Sequence, residues 1–380
     1  MKPFPDPIYV TRPLLPPLEK VTARLADVWS AQWITNAGAQ HDALEAAVRK
    51  YLGVAELSLF NNGTIALLCA IGALDLSGEV ITTPFTFPAT PHALSWSRLT
   101  PVFADIDPVR LTLDPARVEE RITPKTTGIL AVHVYGVPCD VEGLAAVAKK
   151  HRLKLVYDAA HAFGVETGDG SVLNHGDLSV LSFHATKVFN TFEGGALVSK
   201  DPQAKSRIDW LKNFGHAGET TVVATGINGK MHEFSAAMGL VQLEHLDHVL
   251  ERRRAVDALY RERLAGVAGI RLLGPSPGER VSNHAYFPIL LDGRYPLGRD
   301  ELNDLLHKSG IRSRRYFYPL ISDFPMYRTL PSADRANLPV AADATERVLC
   351  LPIYPDLPLE TVERIADLVA RPAQVQLRAA

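Results

Sequence analysis

Residues 127–161, TGILAVHVYGVPCDVEGLAAVAKKHRLKLVYDAAH, contain the pattern that determines the fold. Two short apolar runs, TGILAVHV and KLVYD, flank the amphipathic stretch VEGLAAVAKKH. Runs this apolar are typical of parallel strands buried on both faces of a sheet, and the helix between them supplies the crossover. The sequence therefore predicts a strand–helix–strand unit here, with Asp158 at the carboxyl end of its second strand.

The same alternation continues on both sides of this unit. It extends from LSLF at residues 57–60 to GGALVS at residues 194–199, and two helices are predicted before it, at residues 18–29 and 39–51. One long helix, residues 233–264, is predicted to lead into a smaller unit containing the strand NHAYFPILL and the helix RDELNDLLHKSG. We expect an α/β fold with a mostly parallel central sheet and a smaller C-terminal α+β domain. The predicted boundaries are residues 1–240, a large domain with an N-terminal arm, and residues 241–380.

Composition limits the class of protein. The chain has 380 residues, 47% of them apolar, and 40 Lys and Arg against 42 Asp and Glu. This balance favours a small-molecule substrate over nucleic acid or a membrane surface. The proline-broken N-terminus resembles no signal peptide, and no run of 18 apolar residues occurs, so we expect a cytoplasmic protein. The three cysteines lie far apart without metal-like spacing, which predicts reduced thiols and no metal site.

Two residues carry the predicted chemistry. Lys187 follows the apolar run LSVLSFH, which places a charged group at the buried end of a sheet. Desolvation favours the neutral amine, which can condense with an aldehyde, although a lysine that reaches out from a strand end is an equally good reading. Asp158 ends a parallel strand where open α/β sheets bind ligands, and it could keep a pyridinium nitrogen protonated. The alternative for Asp158 is a cap on the next helix.

The sequence also contains residues that could bind a phosphate group and stack on a flat ring. The segment Asn61-Asn62-Gly63-Thr64 precedes an apolar helix, where backbone N–H groups and a hydroxyl can bind a phosphate, and Ser182 offers another hydroxyl. Phe87 follows a strand and could stack on a ring, although most phenylalanines are ordinary core residues.

Five segments in this order resemble one family. They are NNGTIAL, TPFTFPAT, YDAAHAFG, SFHATKVFNTFEGGALVS and GINGKMHEFSAAMGL, within a resemblance that covers roughly residues 10 to 355. The chain resembles the nucleotide-sugar aminotransferases of the DegT/StrS family, a branch of the fold-type I enzymes that use pyridoxal 5'-phosphate (PLP). The block around Lys187 is the most specific part.

The resemblance implies a role for each matching residue. Lys187 would carry PLP as a Schiff base and Asp158 would pair with its pyridinium nitrogen. Phe87 would stack on the ring and His161, where many members have Gln, would contact the ring hydroxyl. The phosphate would be bound by Gly63, Thr64 and Ser182, and by Asn228 of the neighbouring subunit in a homodimer with shared active sites.

The predicted reaction transfers an amino group from L-glutamate to a keto-deoxysugar nucleotide. His184, Glu193, Tyr316 and Tyr318 are candidates for the sugar pocket. Lys230 stands where many members have Arg, which leaves open how the donor carboxylate is bound. The combination of SFHATK, EGGA and GINGKM is most similar to enzymes that aminate C4 of dTDP-4-keto-6-deoxyglucose, giving dTDP-4-amino-4,6-dideoxyglucose.

Other readings remain. An aminotransferase specific for C3 would have similar motifs, and a non-catalytic PLP-binding regulatory protein would keep Lys187 and Asp158. Related dehydratases have His at the lysine position, so Lys187 argues against that chemistry. A dinucleotide oxidoreductase is set aside because no GxGxxG motif follows a strand.

Overall fold

The computed structural model describes residues 3–275 and 277–372. In chain order the strands are β1 (Ile8–Tyr9), β2 (Glu56–Phe60), β3 (Glu79–Thr82), β4 (Thr100–Phe103), β5 (Thr126–Val132), β6 (Lys154–Asp158), β7 (Glu166–Thr167), β8 (Gly170–Ser171), β9 (Leu178–Ser182), β10 (Gly195–Ser199), β11 (Ile270–Leu272), β12 (Glu279–Val281), β13 (Phe287–Leu291), β14 (Ile311–Arg312) and β15 (Val348–Leu351).

The helices, in the same order, are α1 (Leu18–Ala31), α2 (Ala39–Leu52), α3 (Gly63–Ala73), α4 (Ala89–Trp96), α5 (Pro115–Glu119), α6 (Val141–His151), α7 (Pro202–Leu211), α8 (Glu233–Glu244), α9 (Leu246–Leu264), α10 (Arg299–Lys308), α11 (Pro339–Arg347) and α12 (Leu359–Ala370). Within the described ranges, no helix is both long enough and apolar enough to cross a bilayer.

The central sheet has seven strands in the order β2-β10-β9-β6-β5-β3-β4. β10 runs antiparallel to both of its neighbours, and the other six strands run in one direction. This confirms the predicted α/β fold with a mostly parallel sheet. Because parallel strands end at the same edge, β3, β5, β6 and β9 bring their following loops together there.

Helices cover both faces of this sheet. Along β5, Ile129 and Ala131 pack in the layer of α6, whereas Leu130 between them packs in the layer of α3 and α4. Successive strand residues point to opposite faces, so a strand covered on both sides must be apolar throughout. The continuous run TGILAVHV that predicted β5 is therefore a direct consequence of its central place.

The C-terminal part forms a second sheet, of three antiparallel strands in the order β11-β13-β15. Helices α9, α10 and α12 contribute to one apolar cluster with this sheet, which includes Tyr260, Phe287 and Ile365. The chain start is tied to this part because β1 pairs in parallel with β14. A further contact joins the two parts of the chain, since β12 in the C-terminal part pairs with β7 from the first half.

The predicted single helix over residues 233–264 is wrong, because the chain breaks at His245, where φ is −104° and ψ is 0°. α8 is almost completely buried beside α1 and α2, whereas α9 packs against α12. One straight helix could not enter both cores, so packing overrides the continuous helical spacing. We propose that the two domains divide near this break, and residues 373–380 of the predicted small domain lie outside the described residues.

Candidate active site

A pocket of about 290 Å³ lies at the carboxyl edge of the central sheet. Ten of the residues singled out in the sequence line it, although they come from four separate segments of the chain and the loop after β14. These ten are Gly63, Thr64, Phe87, Asp158, His161, Ser182, His184, Lys187, Glu193 and Tyr316.

Lys187 lies in the loop after β9, and its backbone N–H donates to the carbonyl oxygen of His184 at 2.9 Å. Burial lowers the pKa of Lys187 from its ordinary 10.5 to about 8, and the negative charge of Asp158 opposes this decrease. The neutral amine is therefore accessible close to neutral pH. This is the state that an amine needs to attack an aldehyde carbon.

Asp158 is buried at the end of β6 and its two carboxylate oxygens have different partners. Oδ2 accepts a hydrogen bond from Thr90 Oγ1 at 2.7 Å, and Oδ1 accepts one from the backbone N–H of Ala160 at 3.1 Å. Burial raises the pKa of Asp158, while these two donors and the charge of Lys187 lower it. Thr86, which lines the pocket, lies 3.0 Å from Thr90 Oγ1 and extends the network towards the cavity.

His161 is held from two sides. Its Nδ1 accepts a hydrogen bond from the backbone N–H of Tyr135 at 3.1 Å, and its Nε2 lies 3.2 Å from the hydroxyl oxygen of Tyr286. Burial, with the charge of Lys187, lowers the pKa of His161 well below its ordinary value, so the ring is neutral. The ring also lies parallel to Phe317, with ring centroids 6.1 Å apart.

The start of α3 faces the pocket with its backbone. Asn62 Oδ1 caps the helix by accepting from the N–H of Ile65 at 2.8 Å, and Gly63 and Thr64 form the first turn beside it. A Cβ atom at Gly63 would stand 3.1 Å from Ser182 Cβ, so glycine permits the close approach of this turn to the end of β9. Backbone amides and two hydroxyls at a helix N-terminus are suited to bind a phosphate.

The rim of the pocket is formed by more exposed residues. Phe87 is 58% exposed, so its ring is not an ordinary core residue and is available to a ligand. His184 Nδ1 accepts from the N–H of Thr186 at 3.2 Å, which leaves the proton on Nε2, 3.6 Å from Glu193 Oε1. These rim groups could donate to or accept from a polar substrate.

Three predicted residues are not among those that line the pocket: Asn228, Lys230 and Tyr318. Lys230 Nζ donates to Asn228 Oδ1 at 3.1 Å and lies 4.7 Å from the centroid of the Phe214 ring. Tyr318 instead lies under the guanidinium of Arg299, 4.4 Å from the ring centroid. Within one chain, the structure thus separates these residues from the other ten.

Sequence reasoning missed Thr86 and Tyr286, which line the pocket, and Thr90, which binds Asp158 behind it. Phe317, which also lines the pocket, was expected only as part of the aromatic stretch Tyr316-Phe317-Tyr318. Thr86 and Thr90 are four residues apart in the TPFTFPAT segment, and this spacing across a helix start was a usable signal. Tyr286 directly precedes β13 in the C-terminal part. Nothing local to Tyr286 predicts that it reaches the first sheet.

The profile of the DegT/DnrJ/EryC1/StrS aminotransferase family matches residues 18–370. The chain is 51% identical over 363 residues to the dTDP-4-amino-4,6-dideoxy-D-glucose transaminase of Shigella dysenteriae, covering 96% of this chain and 98% of that protein. It is 49% identical over 363 residues to the Escherichia coli protein of the same name, covering 95% and 98%.

Solved structures agree in fold. The structure of DesI in the presence of its TDP-sugar product has a TM-score of 0.93 and 36% identity, covering 100% of this chain and 97% of that one. Helicobacter pylori PseC, an aminotransferase involved in pseudoaminic acid biosynthesis, has a TM-score of 0.89 and 28% identity, covering 97% of this chain and 100% of that one.

Proposed function

Because the chain belongs to the DegT/DnrJ/EryC1/StrS aminotransferase family, we propose that it uses PLP to transfer an amino group from L-glutamate to C4 of dTDP-4-keto-6-deoxyglucose, forming dTDP-4-amino-4,6-dideoxyglucose. The observation that carries this proposal is the pairing in one pocket of a buried carboxylate, Asp158, with a lysine whose pKa is lowered to about 8. Ionisable groups whose pKa is shifted by burial and by a charged partner within a cleft are typical of functional sites.

The pocket fits the proposed cofactor in each of its chemical parts. Lys187 Nζ would bind its aldehyde carbon, and Asp158 would receive the N–H of its ring. The first turn of α3 and Ser182 would bind its phosphate. Gly63 packs closely on the end of β9, so the helix N-terminus and Ser182 line the same cavity. Phe87 would supply the stacking face. When bound, PLP supplies electron withdrawal from the substrate carbon and carries the amino group between donor and acceptor.

The residues of the chain then do the proton transfers. Lys187 as a free amine has a pKa lowered to about 8, so Nζ could accept a proton and return it to a neighbouring carbon. Thr90 and the N–H of Ala160 donate to Asp158 and favour its ionised form, which would keep a ring N–H protonated.

The choice of sugar rests on the two transaminases of about half identity, which carry the name of the C4 product. His184, Glu193 and Tyr316 are the candidates on the rim to contact the sugar, and all three line the pocket. An enzyme specific for C3 remains the alternative, because orientation of the sugar in this rim selects the carbon. The cytoplasmic location expected from the sequence stays a prediction.

A homodimer with shared sites is part of the proposal. Asn228 is exposed and absent from the pocket of its own chain, as expected of a residue that serves a neighbouring subunit. Several large aromatic side chains are exposed on the single chain, among them Trp29 at 74%, Trp33 at 54% and Trp96 at 81%. A second subunit that covered them would gain stability from their burial. Lys230 beside Asn228 would reach the same neighbouring site and could bind the donor carboxylate.

The first experiment is the visible absorption spectrum of the protein with PLP, before and after L-glutamate and then 2-oxoglutarate. We expect an absorbance band that fades with glutamate and returns with the keto acid. Borohydride reduction should then attach the cofactor to the peptide that contains Lys187. A protein that binds PLP without this cycle would support the non-catalytic reading and overturn the proposed activity.

The variants Lys187→Ala and Lys154→Ala form a matched pair. Lys154 begins β6 at the end opposite to Asp158 and is half-exposed, so its loss should leave the absorbance cycle intact. Lys187→Ala should abolish both the cycle and the borohydride adduct. An adduct that persists in Lys187→Ala would show that another lysine binds the cofactor.

The sugar is tested with the 3-keto and 4-keto forms of the dTDP-linked 6-deoxyglucose in separate reactions. We expect consumption of the 4-keto sugar, and an NMR spectrum of the product with the amino group on C4. If only the 3-keto sugar is consumed, the assignment of the carbon is wrong while the aminotransferase assignment stands.

Shared sites are tested by mixing two inactive variants, Lys187→Ala and Asn228→Ala, after measuring the oligomeric state by light scattering. In a random mixture of dimers, about a quarter of all sites would combine two intact contributions, so activity should return to about that level. Absence of recovery after subunit exchange would show that each site is built from one chain.

A further inference from the structure

Tyr286 is a pocket residue that neither the sequence motifs nor the proposed chemistry assign to a role. It lies in the loop before β13, its ring centroid is 4.7 Å from that of His161, and it lines the main pocket. Together with His161 and Lys187 it also lines an adjoining cavity of about 10 Å³. The three residues therefore border the same small cavity beside the main pocket.

The donor and acceptor atoms of these residues allow only one direction of hydrogen bonding. The backbone N–H of Tyr135 can only donate, so Nδ1 of His161, 3.1 Å away, must be the unprotonated nitrogen. The neutral ring then carries its one proton on Nε2. Because Nε2 lies 3.2 Å from the Tyr286 oxygen, its N–H donates to that oxygen. The hydroxyl proton of Tyr286 cannot point back to His161 and is free to turn towards the pocket.

We infer that Tyr286, and not His161, is the hydrogen-bond donor that this wall presents to a bound ligand, with His161 as the positioning residue behind it. The chain of hydrogen bonds runs from the Tyr135 N–H through His161 to the Tyr286 hydroxyl. Each bond polarises the next, so the terminal O–H is a stronger donor than an isolated phenol. This differs from the expectation, drawn from the family resemblance, that His161 itself contacts the ring hydroxyl.

The acceptor follows from the chemistry of the proposed cofactor, and the inference rests on the proposed function in this respect. In PLP the phenolic oxygen is on the ring carbon next to the one that bears the aldehyde. A donor that borders the same cavities as Lys187 is therefore suited to bind that oxygen. Tyr286 keeps its proton for this role because burial raises its pKa far above the ordinary value of a tyrosine.

Other ionisable groups around Tyr286 must be considered in any titration. Asp158 and Lys187 face it in the pocket, Tyr316 lies against its ring, and two buried groups lie on the side away from the pocket, namely Arg253 and Cys350. Each variant used to test the inference changes a single side chain, so these neighbours stay constant.

The first test needs no cofactor. In protein labelled with ¹⁵N-histidine, the two-bond N–H correlation of His161, identified by its absence in His161→Gln, should show Nδ1 unprotonated and Nε2 protonated. This pattern should persist above and below the ordinary pKa of histidine. A proton on Nδ1 would reverse the chain and overturn the inference.

The second test follows the pH midpoint of the absorbance change of the bound cofactor. A hydrogen bond to a charged oxygen stabilises the deprotonated form, so Tyr286→Phe should raise the midpoint by about one pH unit. Tyr327→Phe is the matched control, because Tyr327 is a buried tyrosine whose hydroxyl lies 2.7 Å from His92 Nδ1, away from the pocket. Its midpoint should equal that of the wild type.

The outcomes separate the inference from the function on which it rests. An unchanged midpoint in Tyr286→Phe, or an equal shift in both variants, would overturn the donor role although PLP is bound. If the wild type binds no PLP, the proposed function fails and the donor role with it, whereas the histidine spectrum still measures the direction of the chain. Unfolding curves of both variants check that each protein is folded.

Discussion

At the scale of single residues, the site depends on how burial changes the chemistry of ordinary side chains. Lys187 is a common amine that becomes reactive because the surrounding protein disfavours its charged form. Asp158 is subject to the same burial, which raises its pKa, and the hydrogen bonds from Thr90 and the N–H of Ala160 oppose this increase. Burial therefore disfavours the charged form of both groups.

We predict that the rate of PLP binding to Lys187 rises with pH around a midpoint of about 8. Burial lowers the pKa of this amine from 10.5, so the reactive neutral form dominates above about pH 8 and is lost below it. Stopped-flow absorbance at a series of pH values measures the midpoint. Asp158→Asn removes the charge that raises this pKa, so the midpoint should fall further. A midpoint near 10.5 in the wild type would contradict the burial of Lys187.

A second residue-scale prediction concerns Thr90, which is fully buried. Thr90→Val removes the O–H that donates to Asp158 Oδ2 at 2.7 Å, leaving part of a buried carboxylate without its partner. We expect the free energy of unfolding to fall by about 1–3 kcal/mol, measured by urea denaturation. Thr90→Ser keeps the hydroxyl, so its free energy of unfolding should fall much less. Equal losses in both variants would show that the hydrogen bond to Asp158 does not account for the lost stability.

At the scale of elements, the start of α2 is held by a side chain from another helix. Gly38 precedes α2 and provides no side-chain cap, and Glu233 at the start of α8 accepts instead from the N–H groups of Gln40 and His41 at 2.8 and 2.9 Å. A Cβ atom at Gly38 would stand 2.6 Å from Glu233 Cδ, so glycine is required for this approach. The carboxylate also complements the positive end of the α2 dipole.

Glu233→Ala should therefore destabilise the protein by about 3 kcal/mol, because two buried donors lose a charged acceptor. Glu233→Gln keeps an acceptor oxygen but no charge, so its loss of unfolding free energy should lie between those of the wild type and Glu233→Ala. Chemical denaturation compares the three proteins, and hydrogen exchange of the α2 amides locates the change. Wild-type stability in Glu233→Ala would mean that water replaces the carboxylate at no cost.

At the scale of the whole molecule, single side chains join the central sheet to the C-terminal part. Asp105, buried just after β4, accepts from the N–H groups of Val340 and Ala341 at the start of α11, at 2.9 and 2.8 Å. The loop after β14 supplies Tyr316 and Phe317 to the pocket. The position of α11 matters to this wall because Thr345 in α11 donates to the carbonyl oxygen of Phe317 at 2.5 Å.

We predict that Asp105→Ala lowers the free energy of unfolding by about 2–3 kcal/mol, because two N–H groups of α11 lose their acceptor. PLP binding should also weaken, because α11 positions Phe317 in the wall of the pocket. Asp114→Ala is the control, because Asp114 caps only the exposed start of the short helix α5. Denaturation and PLP titration measure both effects. Unchanged PLP affinity in a destabilised Asp105→Ala would separate the wall of the pocket from the packing of α11.

The local pattern of the chain was enough for the central architecture and for the chemistry of the site. Strands buried on both faces must be continuously apolar, so β5, β6 and β9 are visible in the sequence, and parallel strands place Asp158 and the loop of Lys187 at one edge. Nine of the ten predicted site residues that line the pocket end or follow strands of this sheet, whereas Tyr316 comes from the loop after β14. Their roles stay predictions until the variants are measured.

Tertiary structure alone decided the features that depend on distant partners. The break at His245 exists because α8 and α9 enter different cores, which helical periodicity cannot reveal. Tyr286 reaches the pocket only because the loop before β13 packs beside His161, and Asn228 lies away from that pocket. Local propensity describes only how favourable each residue is within its own strand or helix. Hydrogen-bond partners more than a hundred residues apart are selected by the packing of the whole chain, and so the direction of donation around His161 appears only in the folded molecule.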